Sequence, residues 1–163
     1  MKKIATLGYR GRNEIKKLYV EDVFRQCLLD AGVDLVVDIR YYNNGQFWSS
    51  HNIKSFIYDL DIDYLEDYHE LLGVKNFPID SDFLKYRSQY IKQLKKNSFV
   101  FLHINELIKK YSKVAILCCE PFIEGEINCH RFILAEALQK VKIVDGVEHL
   151  CMDKTYDKML GYI

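Results

Sequence analysis

Two prolines and eight glycines in 163 residues leave little room for linkers or low-complexity segments, and no internal repeat is present. No apolar run approaches the ~20 residues that a membrane-spanning helix requires. The opening M-K-K-I-A-T-L-G runs out of apolar residues too soon for a signal-peptide core. Neither charge sign is in excess, with 23 basic and 23 acidic residues. A coat protein that binds nucleic acid by neutralising many phosphates is therefore excluded, although a small basic pocket is not. Five cysteines, an odd number, lack the spacing of a disulfide framework, so a reducing cytoplasm is the expected setting. The full G-x-G-x-x-G fingerprint and the P-loop lysine pattern are both missing. No cofactor, membrane contact or resident metal is expected, and the chain is silent on its oligomeric state.

A hydrophobic share of 49% with 28% charged residues describes an ordinary globular chain. We expect one domain over 1–163, with a core at about 3–152 and a tail at 153–163. Residues 3–7 read as a short strand. Val20, Val23, Phe24, Cys27, Leu28 and Ala31 recur at helical spacing, and Gly32 supplies a left-handed stop. Residues 33–39 (V-D-L-V-V-D-I) form a strand continuous enough to be buried on both faces. Ser49 or Ser50 caps a helix carrying Ile53, Phe56, Ile57 and Leu60. Residues 61–66 form a weak third strand. Two helices follow, the first with Lys85, Lys92, Lys95 and Lys96 on a solvated face. Residues 113–119 are the central strand, 128–141 the last long helix with Leu134, Ala137, Leu138 and Val141 as its buried stripe, and 147–152 the last strand. This alternation predicts an α/β protein in three layers: a mostly parallel five-stranded sheet, order 3-2-1-4-5, with helices on both faces.

Ligands of such sheets sit outside the strand carboxyl ends, at a topological switch point. Three stretches converge there: Gly8, Tyr9, Arg10, Gly11 and Arg12 after the first strand; Asp38 and Arg40 after the second; and Cys119 to Arg131 after the fourth. Cys129 heads a helix, where unpaired N–H groups and the dipole favour a thiolate, and His130 and Arg131 follow it. An activated thiol or an anion cradle is one reading; a small buried cysteine, with Arg131 as a partner of Glu120, is the other. Glu120 is either a general acid/base or an ion-pair partner of Arg131, Arg12 or Arg40. Arg12, Arg40 and Arg131 are expected to gather around a phosphate.

Cys118 and Cys119 are neighbours in a strand and point to opposite faces. Cys119 with Cys129 would make a redox pair, and Cys119, Cys129 and His130 the start of a metal site, but the short spacing between ligands and a second knuckle are missing. His51, His69, His103 and His149 are isolated and read as surface or satisfied core residues. Tyr41, Tyr42, Phe47 and Trp48 wall a pocket, stack a base or pack the rim.

T-L-G-Y-R-G-R, V-D-L-V-V-D-I-R, E-L-L-G, L-C-C-E…C-H-R…A-E-A-L and V-E-H-L together resemble the family called domain of unknown function 488. The resemblance runs from Thr6 to Leu150. It implies a compact α/β protein and assigns no reaction. Family members commonly follow D-[VI]-R with Pro and Ser, where Tyr41-Tyr42-Asn43-Asn44 stand here, and the spacer between Asn13 and Val20 is longer than usual. The expected function is binding of a phosphate-bearing ligand, a nucleotide or a nucleic-acid end, with hydrolysis or group transfer. In that case Cys129 is the nucleophile, Glu120 or His130 the acid/base and Arg131 the anion holder, with Glu120 as the rival nucleophile. A non-enzymatic sensor of nucleotides or modified nucleic acid, and a cysteine-based metal or redox site, are the alternatives.

Overall fold

Strands whose residues are apolar without interruption must be covered on both faces, and this chain has two of them. A computed structural model describes residues 2–9, 20–41, 47–74, 83–119 and 129–161. Five strands form one wholly parallel sheet: β1 (Lys3–Gly8), β2 (Leu35–Asp38), β3 (Asp63–Leu65), β4 (Val114–Cys118) and β5 (Gly146–Leu150). The helices among the described residues are α1 (Val20–Ala31), α2 (Ser50–Ile57), α3 (His69–Leu72), α4 (Phe83–Lys96), α5 (Phe99–Lys110), α6 (His130–Lys140) and α7 (Met152–Met159).

Side chains alternate across the sheet with a period of two. Ile4, Leu35, Val37, Val114 and Ile116 face α3, α4, α5 and α6 in one core. Ala5, Leu7, Val36, Ala115 and Leu117 face α1, α2 and α7 in the other. The three-layer α/β expectation is met, but the strand order is 3-2-4-1-5, so β1 and β4 exchange places relative to the expected 3-2-1-4-5. Placing β2 beside β1 follows the preference of consecutive strands to be neighbours, which is a tendency only. Here a long-range clamp prevails. The Asp34 carboxylate accepts from the N–H groups of Ser112 at 2.7 Å and Lys113 at 2.8 Å, and Asp34 N–H donates to the Lys113 carbonyl at 3.1 Å. These bonds seat β2 against the start of β4.

Local signals act where the sequence places them. Gly32 has φ +66°, and Gly32 N–H donates to Leu29 O at 2.9 Å while Val33 N–H donates to Leu28 O at 3.0 Å, a Schellman stop for α1. Ser49 Oγ accepts from Asn52 N–H at 3.2 Å and caps α2. Lys85, Lys92, Lys95 and Lys96 are exposed on α4.

The last third of the chain departs further from expectation. Helix α6 begins at His130, two positions after the expected start at 128, with Cys129 as its N-cap. Its buried residues include Ile133, Leu134, Ala135 and Leu138, whereas Val141 is exposed. Because α6 packs on the sheet and also against α4, two sides are covered, and a single-stripe reading misplaces its apolar face. The expected tail is a two-turn helix, α7, which buries Met152 and Thr155 and reaches Asp30 of α1 through Lys158 at 2.6 Å.

Candidate functional site

The carboxyl ends of β1 and β4 lie side by side, with Gly8 opposite Cys118. From them the chain leaves in opposite directions. α1 carries it over one face to β2, and α6 carries it over the other to β5. The exchange of β1 and β4 therefore preserves the switch point between them. It also seats β2 directly beside β4, with Asp38 opposite Leu117.

Along β4, Cys118 shares the parity of Val114 and Ile116, so its thiol points to the α6 face. There it meets the head of α6. Cys118 Sγ and Cys129 Sγ stand 3.2 Å apart and share a hydrogen bond, and both are free thiols. His130 Nδ1 lies 3.6 Å from Cys129 Sγ and 3.8 Å from Cys118 Sγ. His130 Nε2 lies 3.3 Å from the Ile39 carbonyl oxygen. A carbonyl accepts only, so Nε2 carries the hydrogen; Nδ1 is the nitrogen beside Cys129, while Cys118 Sγ lies 3.8 Å from both ring nitrogens. Cys118, Cys129 and His130 are all buried.

The electrostatics follow from these contacts. Burial opposes a charge on Cys129, yet the hydrogen bond with Cys118 and the Arg131 cation hold its thiol below the ordinary value. No side-chain capping bond forms at Cys129, but the Arg131 N–H lies close enough to favour charge on the sulfur. Burial likewise opposes charge on His130, and the Cys118 sulfur and the Ile39 carbonyl overcome it, raising the imidazole above its ordinary value. Arg131 is fully buried, with Cζ 4.3 Å from the Phe132 ring centroid. The Tyr90 and His130 rings stand edge-to-face with centroids 5.5 Å apart, and the Tyr90 hydroxyl donates to Leu72 O at 2.8 Å. Burial, then the charges on Cys129 and Cys118, push the Tyr86 hydroxyl up. A cavity of about 110 Å³, lined by Val74, Tyr86, Gln89, Tyr90 and Gln93, touches both tyrosines.

Asp38 and Arg40 occupy the opposite face. Asp38 has the parity of Val36 and points to the α1–α2 side. Arg40 Nε donates to its two carboxylate oxygens at 2.9 and 3.0 Å, and Arg40 N–H donates to Oδ1 at 3.0 Å. The Tyr64 hydroxyl donates to Oδ2. Arg40 Nη1 also donates to Trp48 O, and its Cζ sits 5.2 Å from the Tyr9 ring centroid. Burial opposes the Arg40 cation, and the hydrogen bond with Asp38 more than restores it. Tyr9 stacks on Trp48 at 4.4 Å, so these aromatics pack against the α1–α2 core.

Among the expected site residues, Cys129, His130 and Arg131 come together at the head of α6, while Asp38 and Arg40 pair with each other across the sheet. Arg10, Gly11, Arg12 and Glu120 lie outside the described residues, as does Tyr42. Cys119 is half-buried beside the cluster, and Cys118 fills the place that the redox and metal readings gave to Cys119. The parity of Cys118 with Val114 and Ile116 is legible along β4, but which face of the sheet receives α6 is not. The roles of Tyr86, Tyr90 and the Ile39 carbonyl had no local signal. His149 belongs with Thr6, whose Oγ1 lies 2.8 Å from its Nδ1. Burial and the Arg131 charge lower its imidazole.

Residues 19–138 match the family model described as Domain of unknown function DUF488. The chain belongs to the DUF488 family. The matched stretch holds α1, the D-I-R strand end and the C-C-E…C-H-R element, and leaves T-L-G-Y-R-G-R and V-E-H-L outside it. No curated protein and no solved structure matches this DUF488 chain. No helix among its described residues is long and apolar enough to cross a membrane.

Proposed function

We propose that this DUF488 protein acts on a phosphate-bearing ligand, a nucleotide or a nucleic-acid end, by hydrolysis or group transfer centred on Cys118, Cys129 and His130. The observation that carries the reading is the convergence of two thiols and an imidazole nitrogen within 4.8 Å, at the head of α6 and beside the switch point of a parallel sheet. The start of a helix favours negative charge, and the buried Arg131 cation adds to that field. His130 and Glu120 take the proton-handling roles. A non-enzymatic binding module is the second reading, favoured by the complete burial of Cys129.

The test is a panel of nucleoside phosphates and 5′- and 3′-phosphorylated oligonucleotides, followed for both product and thermal shift. Turnover by the wild type that falls by about 100-fold or more in His130→Gln, with unchanged folding, supports the catalytic reading. A thermal shift without product identifies the binding module. Neither response removes the phosphate-bearing ligand.

A further inference from the structure

We infer that Cys118 Sγ, Cys129 Sγ and His130 Nδ1 form a three-ligand site for a thiophilic divalent cation, with Zn²⁺ as its natural occupant. This deepens the reading above by naming what the reaction centre holds. Two sulfurs and an imidazole nitrogen are a donor set for zinc; they do not suit magnesium or calcium, which take oxygen ligands. Among the described residues these three alone bring such donor atoms within 4.8 Å of one another.

Zinc bonds of about 2.3 Å to sulfur and about 2.0 Å to nitrogen, set tetrahedrally, require donor separations of about 3.5 Å for S···N and about 3.8 Å for S···S. The Nδ1 separations are 3.6 Å to Cys129 Sγ and 3.8 Å to Cys118 Sγ, and because Cys118 Sγ is also 3.8 Å from Nε2, the imidazole has to turn its Nδ1 toward Cys118 on binding the ion. The sulfurs, at 3.2 Å, have to open by roughly 0.6 Å to meet the same tetrahedral spacing.

The shell around the donors is also in place. A metal-bound imidazole usually donates its other N–H to a carbonyl or carboxylate, which fixes the tautomer and the ring plane. His130 does this through Nε2 to Ile39 O, and the Tyr90 ring packs against it in a T-shaped arrangement. Ile39 is itself fixed, since its N–H donates to Leu117 O at 3.1 Å in the strand next to it. Cys118 reaches the site from β4, and Cys129 and His130 from the head of α6. The ligands thus sit on a strand and a helix, separated by eleven positions between the two sulfurs.

Charge completes the argument. Two thiolates and Zn²⁺ sum to zero, so the ion removes the cost of burying thiolate charge. The buried Arg131 cation then favours an anion as fourth ligand, a hydroxide or a phosphate oxygen. Among the described residues three protein ligands would hold the ion, and a water or substrate oxygen in the fourth place would make it a catalytic rather than a structural zinc. A zinc held by these three residues would supply a bound water as nucleophile: its proton would pass to solvent, its oxygen would bond to phosphorus as the ester P–O bond breaks, and the departing oxygen would take up a proton from solvent. Cys118, Cys129 and His130 are then ligands, His130 gives up the proton-handling role, and the attacking atom is oxygen.

Zinc content by mass spectrometry of the protein purified without chelator, and after stripping and reloading with Zn²⁺, tests this. About one zinc per chain is expected in the wild type and in Cys119→Ser, falling about 10-fold or more in Cys118→Ser and in Cys129→Ser. Substitution with Co²⁺ should produce intense thiolate-to-cobalt absorption in the wild type, a readout that needs neither activity nor a variant that folds. Wild-type protein that holds no zinc after reloading, or a Cys118→Ser/Cys129→Ser double variant that keeps it, overturns the inference. Turnover of the phosphate panel that survives complete stripping also overturns it, and leaves the catalytic reading standing. Bound zinc without turnover supports the metal site and removes the catalytic reading alone.

Discussion

Asp38→Asn keeps the shape of the side chain and removes its charge, so it isolates what the carboxylate does for the fold. Asp38 and Arg40 are 1% and 3% exposed, and the carboxylate accepts from Arg40 N, Arg40 Nε, Arg40 Nη2 and the Tyr64 hydroxyl. An asparagine oxygen can accept some of these bonds, but its NH₂ group is turned against donors, and the guanidinium is left as an uncompensated buried charge. Breaking a buried pair from one side costs about 3–5 kcal/mol. Loss of two hydrogen bonds to a charged group, at about 1.5–3 kcal/mol each, leads to the same range. For a chain of 163 residues each kcal/mol lowers Tm by about 2–4 °C, so a drop of roughly 6–20 °C is expected. Thermal and urea unfolding measure it, with a lower urea midpoint and an unchanged slope. The double variant Asp38→Leu/Arg40→Met should cost less than Asp38→Asn alone, since it leaves no orphaned charge. A loss below about 1 kcal/mol, the value of an exposed pair, would refute the reasoning.

Gly73→Ala should destabilise by about 1–3 kcal/mol or more, because a Cβ there would stand 2.3 Å from His69 O and 2.6 Å from Tyr41 N, both backbone atoms; urea unfolding that matches the wild type would contradict this close approach. Tyr90→Phe removes the hydroxyl that donates to Leu72 O at 2.8 Å and should cost about 1 kcal/mol, with zinc content unchanged because the ring against His130 remains. Burial, with Cys151, Asp30 and Glu148 adding to it against a weaker opposing contact from Thr155, pushes the Cys27 thiol up to about 11 from 9.0. The folded value is the higher one, so this contribution to stability is full below about pH 9 and is lost as the pH rises through about 11. Alkaline unfolding should therefore be steeper in the wild type than in Cys27→Ala, and peptide mapping after iodoacetamide at neutral pH should find half-buried Cys151 modified before Cys27.

Periodicity along the chain was enough for the α/β class, for α1 with its stop at Gly32 and for the Ser49 cap. Each of these depends on residues within a few positions of one another, where backbone geometry decides which side chains share a face. Cys129 at a helix start is legible for the same reason. The order of the central strands is a different kind of fact. It rests on Asp34 reaching Ser112 and Lys113, 78 and 79 positions away, and no local pattern records that pairing. The same pairing decides that Ile39 presents its carbonyl to His130. The parity of Cys118 is written in β4, but which face receives α6 is not, so only the tertiary structure selects Cys118 over Cys119 as the partner of Cys129. Likewise the arginine-rich strand ends are visible in the chain, yet the pleat of β2 turns Asp38 and Arg40 to one face and β4 turns Cys118 to the other. Alternation sets the two sides of each strand; packing against α1 and α2 on one side and α4 and α6 on the other gives those sides their chemistry.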